Sequence, residues 1–303
     1  MTIQNVTIVG ANGNLGSIVL KALLTADPPF QRVTILRRAS SRLSEPLHPS
    51  IRVIEVLTWT ASTLTEPLTG EDAVIACFPL ADVNAHFALA DAAADAGVKR
   101  FIPADYGSVD ARSPRARALV SLFDNKVRVR EHLEQLAAAS SSGFTWTSLV
   151  NGHFFDWGLT NGFLHFYPET QTAEILGDGT QKSSLSTLHR VAQAVVSVLQ
   201  RPDETANRVL MVQSFCVSQL DVLSALERAT GTQWKAEFRD TDAFIAEKKT
   251  LADAGDKEAI EDLVFALGVI EGNWEEEEDF AMELLGLKED ENLDRVVAGA
   301  LRR

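Results

Sequence analysis

Val9-Gly10-Ala11-Asn12-Gly13-Asn14-Leu15-Gly16 sets three glycines at G-x-x-G-x-x-G spacing, after the alternating segment Asn5-Val6-Thr7-Ile8-Val9 and before an apolar-periodic run at 18–24. That run is closed by Asp27-Pro28-Pro29, so the order is strand, turn, helix and breaker. A tight turn needs a residue without Cβ, close approach of the backbone to a pyrophosphate needs another, and close helix-on-strand packing needs the third. Amides at the helix N-terminus attract phosphate charge. The stretch predicts a dinucleotide-binding crossover, with Gly10, Ala11, Asn12, Gly13, Asn14, Leu15 and Gly16 at the cofactor.

Outward from this loop the alternation repeats. Residues 33–36, 52–54 and 73–77 read as short, continuously apolar strands of the buried parallel kind. An Ala-rich helix at 86–96 ends at Gly97, a strand follows at 100–102, a helix at 125–139 and, after Ser140-Ser141-Ser142-Gly143, a strand at 144–150. Strands and helices at this spacing predict an α/β fold, a Rossmann-type doubly wound parallel sheet. The pattern then loosens: 151–180 is aromatic-rich and irregular, 189–199 and 218–230 read as helices, 208–212 as a strand, and the remainder as mainly helical and acidic. The expected organisation is a nucleotide-binding domain over 1–150, completed by parts of 185–215, and a smaller, mainly helical substrate-binding region over 151–303.

Cofactor choice is read at the end of the second strand, where an acid would bond a ribose 2′-hydroxyl and a base would pair with a 2′-phosphate. Arg37 and Arg38 stand there, with Arg42 a few residues on. A guanidinium suits a phosphate, so NADP(H) is expected over NAD(H). Of the two neighbours Arg38 is the more readily read as a solvated surface residue, on the argument that only one can face the site. Phe78 and Pro79, directly after the fourth strand, complete the expected cofactor contacts.

Composition narrows the function classes. With 303 residues, 46% hydrophobic, the chain can bury a large core. A net charge of −14 works against nucleic acid or an anionic membrane as partner. No stretch is long and apolar enough to span a bilayer, no signal peptide is visible, and Cys77 and Cys216 read as buried thiols of a reducing, cytoplasmic compartment. The histidines show no ligand spacing, so no metal site is expected. Residues 112–117, with three arginines, read as a solvated loop, and 274–279 as the start of an exposed acidic helix.

The Tyr-x-x-x-Lys pair of the common short-chain dehydrogenases is absent, since neither Tyr106 nor Tyr167 has a lysine four positions later. The chain instead resembles the NmrA-like, isoflavone-reductase-like family of atypical short-chain dehydrogenases. The resemblance rests on the glycine loop, Arg37, Val98-Lys99-Arg100-Phe101-Ile102-Pro103-Ala104-Asp105-Tyr106-Gly107 and Phe123-Asp124-Asn125-Lys126-Val127-Arg128-Val129-Arg130. The family usually has a serine where Ala104 stands. The resemblance implies Lys126 as general acid/base and Arg130 near the substrate, and an i, i+4 pair shares one helix face. A lysine in an apolar crevice can have its pKa lowered enough to relay a proton.

Asn151-Gly152-His153-Phe154-Phe155-Asp156-Trp157-Gly158 follows the sixth strand, where the sheet edge opens. Aromatic walls there suit a planar substrate, which makes His153 and Phe154 candidate substrate contacts. Phe154, Phe155 and Trp157 read equally well as core. The function implied is an NADPH-dependent reductase acting on a small aromatic or conjugated carbonyl-type molecule, by a monomer or homodimer. An NmrA-type dinucleotide sensor without turnover, or a cyclase or isomerase on the same fold, are the alternatives.

Overall fold

The computed structural model describes residues 1–41, 48–288 and 290–302. In chain order β1 (Asn5–Val9) leads into α1 (Asn14–Leu24), β2 (Arg32–Arg38), β3 (Ile51–Val56), α2 (Ala61–Leu68), β4 (Ala73–Ala76), α3 (Val83–Asp95) and β5 (Arg100–Ile102). Then come α4 (Pro114–Leu119), α5 (Ser121–Ala139), β6 (Thr145–Val150), β7 (His153–Phe154), α6 (Phe155–Thr160), β8 (Phe166–Tyr167), β9 (Thr172–Leu176) and β10 (Lys182–Ser186). The chain ends with α7 (Leu188–Gln200), β11 (Arg208–Met211), β12 (Phe215–Ser218), α8 (Gln219–Thr230), β13 (Lys235–Arg239), α9 (Thr241–Asp253), α10 (Lys257–Glu271) and α11 (Leu293–Ala300).

Seven strands form one sheet in the order β11-β6-β5-β4-β1-β2-β3, every pairing parallel. The chain winds one way from β1 to β3 and the other way from β4 to β11, so the switch point lies between β1 and β4, where open α/β sheets bind ligands. Register aligns Val9 with both Leu36 and Ala76. Gly10, Arg37 and Cys77 therefore stand side by side, one residue beyond the aligned Val9, Leu36 and Ala76.

The helices follow from their spacing. In α1 the buried Leu15, Val19 and Leu23 recur every four residues and meet Val191, Val195 and Val198 of α7 over Ile8, Ile35 and Ile75. On the other face Leu64, Leu89, Val129 and Leu133 pack on Leu36, Val74 and Phe101. A third apolar cluster, including Phe155, Ile175, Leu226, Phe244, Leu263 and Phe265, gathers the later helices around two three-stranded sheets, β12-β10-β7 and β13-β9-β8. Arg100 is buried inside the main sheet, and its guanidinium donates to Thr145, Thr147 and Thr205 hydroxyls and the Pro202 carbonyl.

Several expectations are corrected. The arginine-rich stretch is not all loop: α4 starts inside it, because Pro114 suits a first helical position and Ser113 caps the Ala116 amide. Residues 275–279 form turns rather than a helix start, because Trp274 is buried against the sheet and Phe280 bridges Met211. The segment 151–180, expected to be irregular, holds β7, α6, β8 and β9.

Candidate functional site

At Gly10 and Gly16 the glycine loop leaves no space for a side chain. Gly10 has φ +88°, and a Cβ on it would lie 2.3 Å from the Cys77 carbonyl oxygen. A Cβ on Gly16 would lie 2.0 Å from the Gly10 carbonyl oxygen. Gly13 is the N-cap of α1, with no side-chain capping bond and no acidic residue in the first turn. An uncapped, acid-free helix start at the switch point suits a bound anion.

Beside it opens a crevice of about 460 Å³, lined by Gly10, Ala11, Asn12, Gly13, Arg37, Arg38, Trp59, Phe78, Pro79 and Asp82 among others. Asn14, Leu15 and Gly16 are not part of this lining: Asn14 is exposed, and Leu15 and Gly16 are buried in the seam between α1 and β1. Arg37 donates to Glu55 on β3 and to the Ser41 carbonyl, and its buried Nε has no partner among the described residues. Arg38 places its guanidinium 5.0 Å from the centre of the Trp59 ring. Both arginines line the crevice, which corrects the expectation that one alone would face it: Arg38 reaches the site by lying over Trp59. Arg42 falls outside the described residues.

The aromatic wall is fixed from behind. Trp59 meets Phe78 edge-on at 5.9 Å and donates from Nε1 to the Ala85 carbonyl at 2.9 Å. Phe78 stacks on His86 at 3.9 Å, and the His86 ring contacts the Pro79 carbonyl at 3.1 Å. Burial holds His86 below its ordinary pKa, so its ring packs as a neutral one.

A second cluster sits on α5. Lys126 and Arg130 are buried and four residues apart, with Lys126 Nζ 3.7 Å from Asp105 Oδ1 and 5.3 Å from the centre of the Phe123 ring. Arg130 donates from Nε to Asp105 Oδ2 at 2.5 Å and from Nη1 to Asp110 Oδ1 at 2.7 Å, and Ser148 donates to Asp105 Oδ2. Burial lowers the Lys126 pKa, Asp105 opposes that, and the net direction is down. For Asp105 burial is outweighed by the Arg130 and Lys126 charges and the Ser148 bond, so it stays ionised. Burial is likewise overcome at Asp110, where Arg112 and Arg130 bring the pKa to about 2.

The two parts are joined through Asp105-Tyr106-Gly107. The Tyr106 hydroxyl lies 3.6 Å from Cys77 Sγ, beside the carbonyl that abuts Gly10. A Cβ on Gly107 would lie 2.6 Å from the Val109 carbonyl oxygen and 3.4 Å from Lys126 Nζ. Asn125 Nδ2 donates at 3.5 Å to the Leu80 carbonyl, tying α5 to the loop after β4.

His153 lies elsewhere. It is buried between Phe163 and Phe265, contacts the Val264 carbonyl at 3.2 Å, and fills the space above Gly268, where a Cβ would be 2.2 Å from the ring. Burial pushes its pKa down to about 4. Phe154 is half-buried and packs with the cluster between the sheet and α7. Neither lines the crevice. Among the described residues no group of three or more His, Cys, Asp or Glu side chains is placed to hold a metal ion, and no helix is long and apolar enough to cross a membrane. Both cysteines are free thiols. Trp59 and Asp105 are the functional candidates that sequence reasoning missed. Trp59 is a lone tryptophan in a polar loop, and Asp105 stood inside the quoted motif without a role.

This chain belongs to the NmrA-like family, whose sequence signature matches residues 2–273. It is 36% identical to the oxidoreductase aprR of Aspergillus flavus, over 80% of this chain and 79% of that one. It is 32% identical to the oxidoreductase poxI of Penicillium oxalicum, over 96% and 92% of the two chains. Its fold superposes with a TM-score of 0.77 on AtPrR2, solved with NADP+ and (+)-pinoresinol, over 99% of each chain at 18% identity.

Proposed function

We propose that this chain is an NADPH-dependent reductase of small aromatic or conjugated carbonyl-type molecules, in which Lys126 handles the proton. The observation that carries the reading is the pairing of Arg37 and Arg38 on the wall of the glycine-loop crevice. Gly10, Gly13 and the start of α1 would hold the pyrophosphate, and the two guanidiniums the 2′-phosphate. The Arg37 Nε, without a hydrogen-bond partner among the described residues, fits that role. The dinucleotide, when bound, supplies the hydride. Lys126 Nζ gives a proton to the substrate oxygen as the adjoining carbon is reduced, and Asp105 and Arg130 stay ionised beside it. The names of the fungal relatives and the dinucleotide bound to the fold neighbour support the reading. Residues 1–150 with 185–215 form the nucleotide-binding part in this proposal and the rest of 151–303 the substrate-binding part.

A fluorescence titration of NADPH and NADH on the wild type and Arg37→Ala tests it. A charge-assisted contact to the phosphate is worth roughly 1.5–3 kcal/mol, so Arg37→Ala should weaken NADPH roughly 10- to 100-fold and leave NADH unchanged. Binding by the wild type justifies a screen of enones and aromatic carbonyl compounds, with Lys126→Ala as the control that should lose turnover. If neither nucleotide binds, the reading fails.

A further inference from the structure

We infer that Asp105 is the positioning residue that fixes the place and the charge of the Lys126 ammonium. The inference rests on the proposed function only for what the proton is used for; the electrostatic arrangement stands by itself. The two carboxylate oxygens of Asp105 are used unequally. Oδ2 accepts from Arg130 Nε and Ser148 Oγ, whereas Oδ1 is buried, has no hydrogen-bond partner among the described residues, and lies 3.7 Å from Lys126 Nζ. At that distance the contact is too long for a hydrogen bond and short enough for a strong Coulomb attraction in a buried place. Oδ1 thus meets the Lys126 ammonium as an ion pair in a buried place, where a charge left without its counterpart is expensive. The arrangement does suit a group that holds an ammonium by charge and leaves its protons directed elsewhere.

The surroundings sharpen this. The charged groups acting on Lys126 are Asp105, from the loop after β5, and Arg130, one turn along α5. Asp105 favours the ammonium and Arg130 opposes it, and burial opposes it too. Arg130 at the same time clamps Asp105, so one guanidinium both orients the carboxylate and limits its effect. Gly107 closes the space, because any side chain there would meet Val109 and reach toward Lys126 Nζ. Without Asp105 the ammonium would face a buried arginine alone and lose its proton far more readily.

The test needs no substrate. The full chain, labelled with ¹³Cε-lysine, is titrated with pH by NMR, the Lys126 signal being assigned by its loss in Lys126→Arg. Asp105→Asn should move the Lys126 titration down by at least about one pH unit, a tenfold rise in neutral lysine at a given pH, and Asp105→Glu should restore most of it. Arg130→Gln should move it up. Opposite shifts are what a merely structural role would not produce. A Lys126 titration that stays fixed or rises in Asp105→Asn overturns the inference; should Asp105→Asn fail to fold, Asp105→Ser, which also removes the charge, takes its place with the same overturning result. Failure of the wild type to bind NADPH would defeat the reductase reading and leave this titration standing.

Discussion

Gly16→Ala is expected to weaken NADPH binding by roughly tenfold to a hundredfold and to lower the thermal midpoint. The reason is local and steric. The added methyl would sit 2.0 Å from the Gly10 carbonyl oxygen and 2.8 Å from its carbon, and neither atom belongs to a flexible side chain. Either α1 lifts from β1 or the loop opens, and forced overpacking of this kind costs about 1–3 kcal/mol. Both responses displace the amides that would meet the pyrophosphate. Gly143→Ala is the control: it has φ +82° but nothing within 4 Å of the added carbon. Its strain should lower stability slightly and leave nucleotide binding intact. Equal binding losses in the two variants would mean that the loop is not where the nucleotide sits.

His165→Ala should destabilise the protein by about 3 kcal/mol below pH 6 and by progressively less as pH rises. His165 faces Glu174 from Nδ1 at 2.9 Å and Asp262 from Nε2 at 3.1 Å, and stacks on Phe265 at 4.2 Å. Ionised carboxylates only accept hydrogen bonds, so both ring nitrogens must donate and the ring is an imidazolium. Burial lowers its pKa, yet the two bonds and the two charges outweigh burial and raise it above the ordinary 6.5. With the folded value above the unfolded one, the stabilisation is complete below 6.5 and is lost as pH climbs through the raised value. Lys248 on Asp262 at 2.8 Å and Arg239 on Glu174 at 2.9 Å remain in the variant and limit the loss. His153 acts with the opposite sign: its pKa falls from 6.5 to about 4, so stability grows as pH rises through that interval. His165→Ala should therefore reduce the fall in stability that begins above pH 6.5 and leave the acid-side change due to His153 in place. Parallel wild-type and variant curves in thermal unfolding against pH would contradict this account.

Legibility of the fold follows the physics of burial. In β1, β2, β4, β5 and β6 the buried residues run on without alternation, because a parallel sheet covered on both faces leaves them no exposed side, whereas the edge strand β3 keeps Arg52 and Glu55 exposed. The α2 helix escapes such reading: Ala61–Leu68 is short, rich in threonine and carries Pro67. The β13 strand escapes it too, since Lys235–Arg239 pairs on one edge only, with β9, and keeps a largely exposed polar pattern. In the candidate site, the glycines are legible because backbone sterics demand that residue type, and Arg37 because a guanidinium suits the phosphate proposed there. Trp59 gives no periodic signal, and its place depends on α3 and Phe78 meeting it. Arg38 was undervalued because alternation along a strand describes Cα–Cβ directions, and a long guanidinium side chain can curl back over a neighbour.

One property of the main sheet bears on how the chain comes to exist. The strand beside β6 is β11, drawn from residues 208–211, and the helix covering α1 is α7, drawn from 188–200. A chain emerging from the ribosome only as far as Val150 has β6 as an open edge, with unpaired backbone groups, and an apolar stripe on α1 facing water. The glycine-loop crevice is therefore expected to settle only once these later elements are in place. Nascent chains should stay protease-sensitive until Met211 has cleared the exit tunnel, and a protein cut between β6 and α7 into two separately made pieces should regain its sheet only when both are present together.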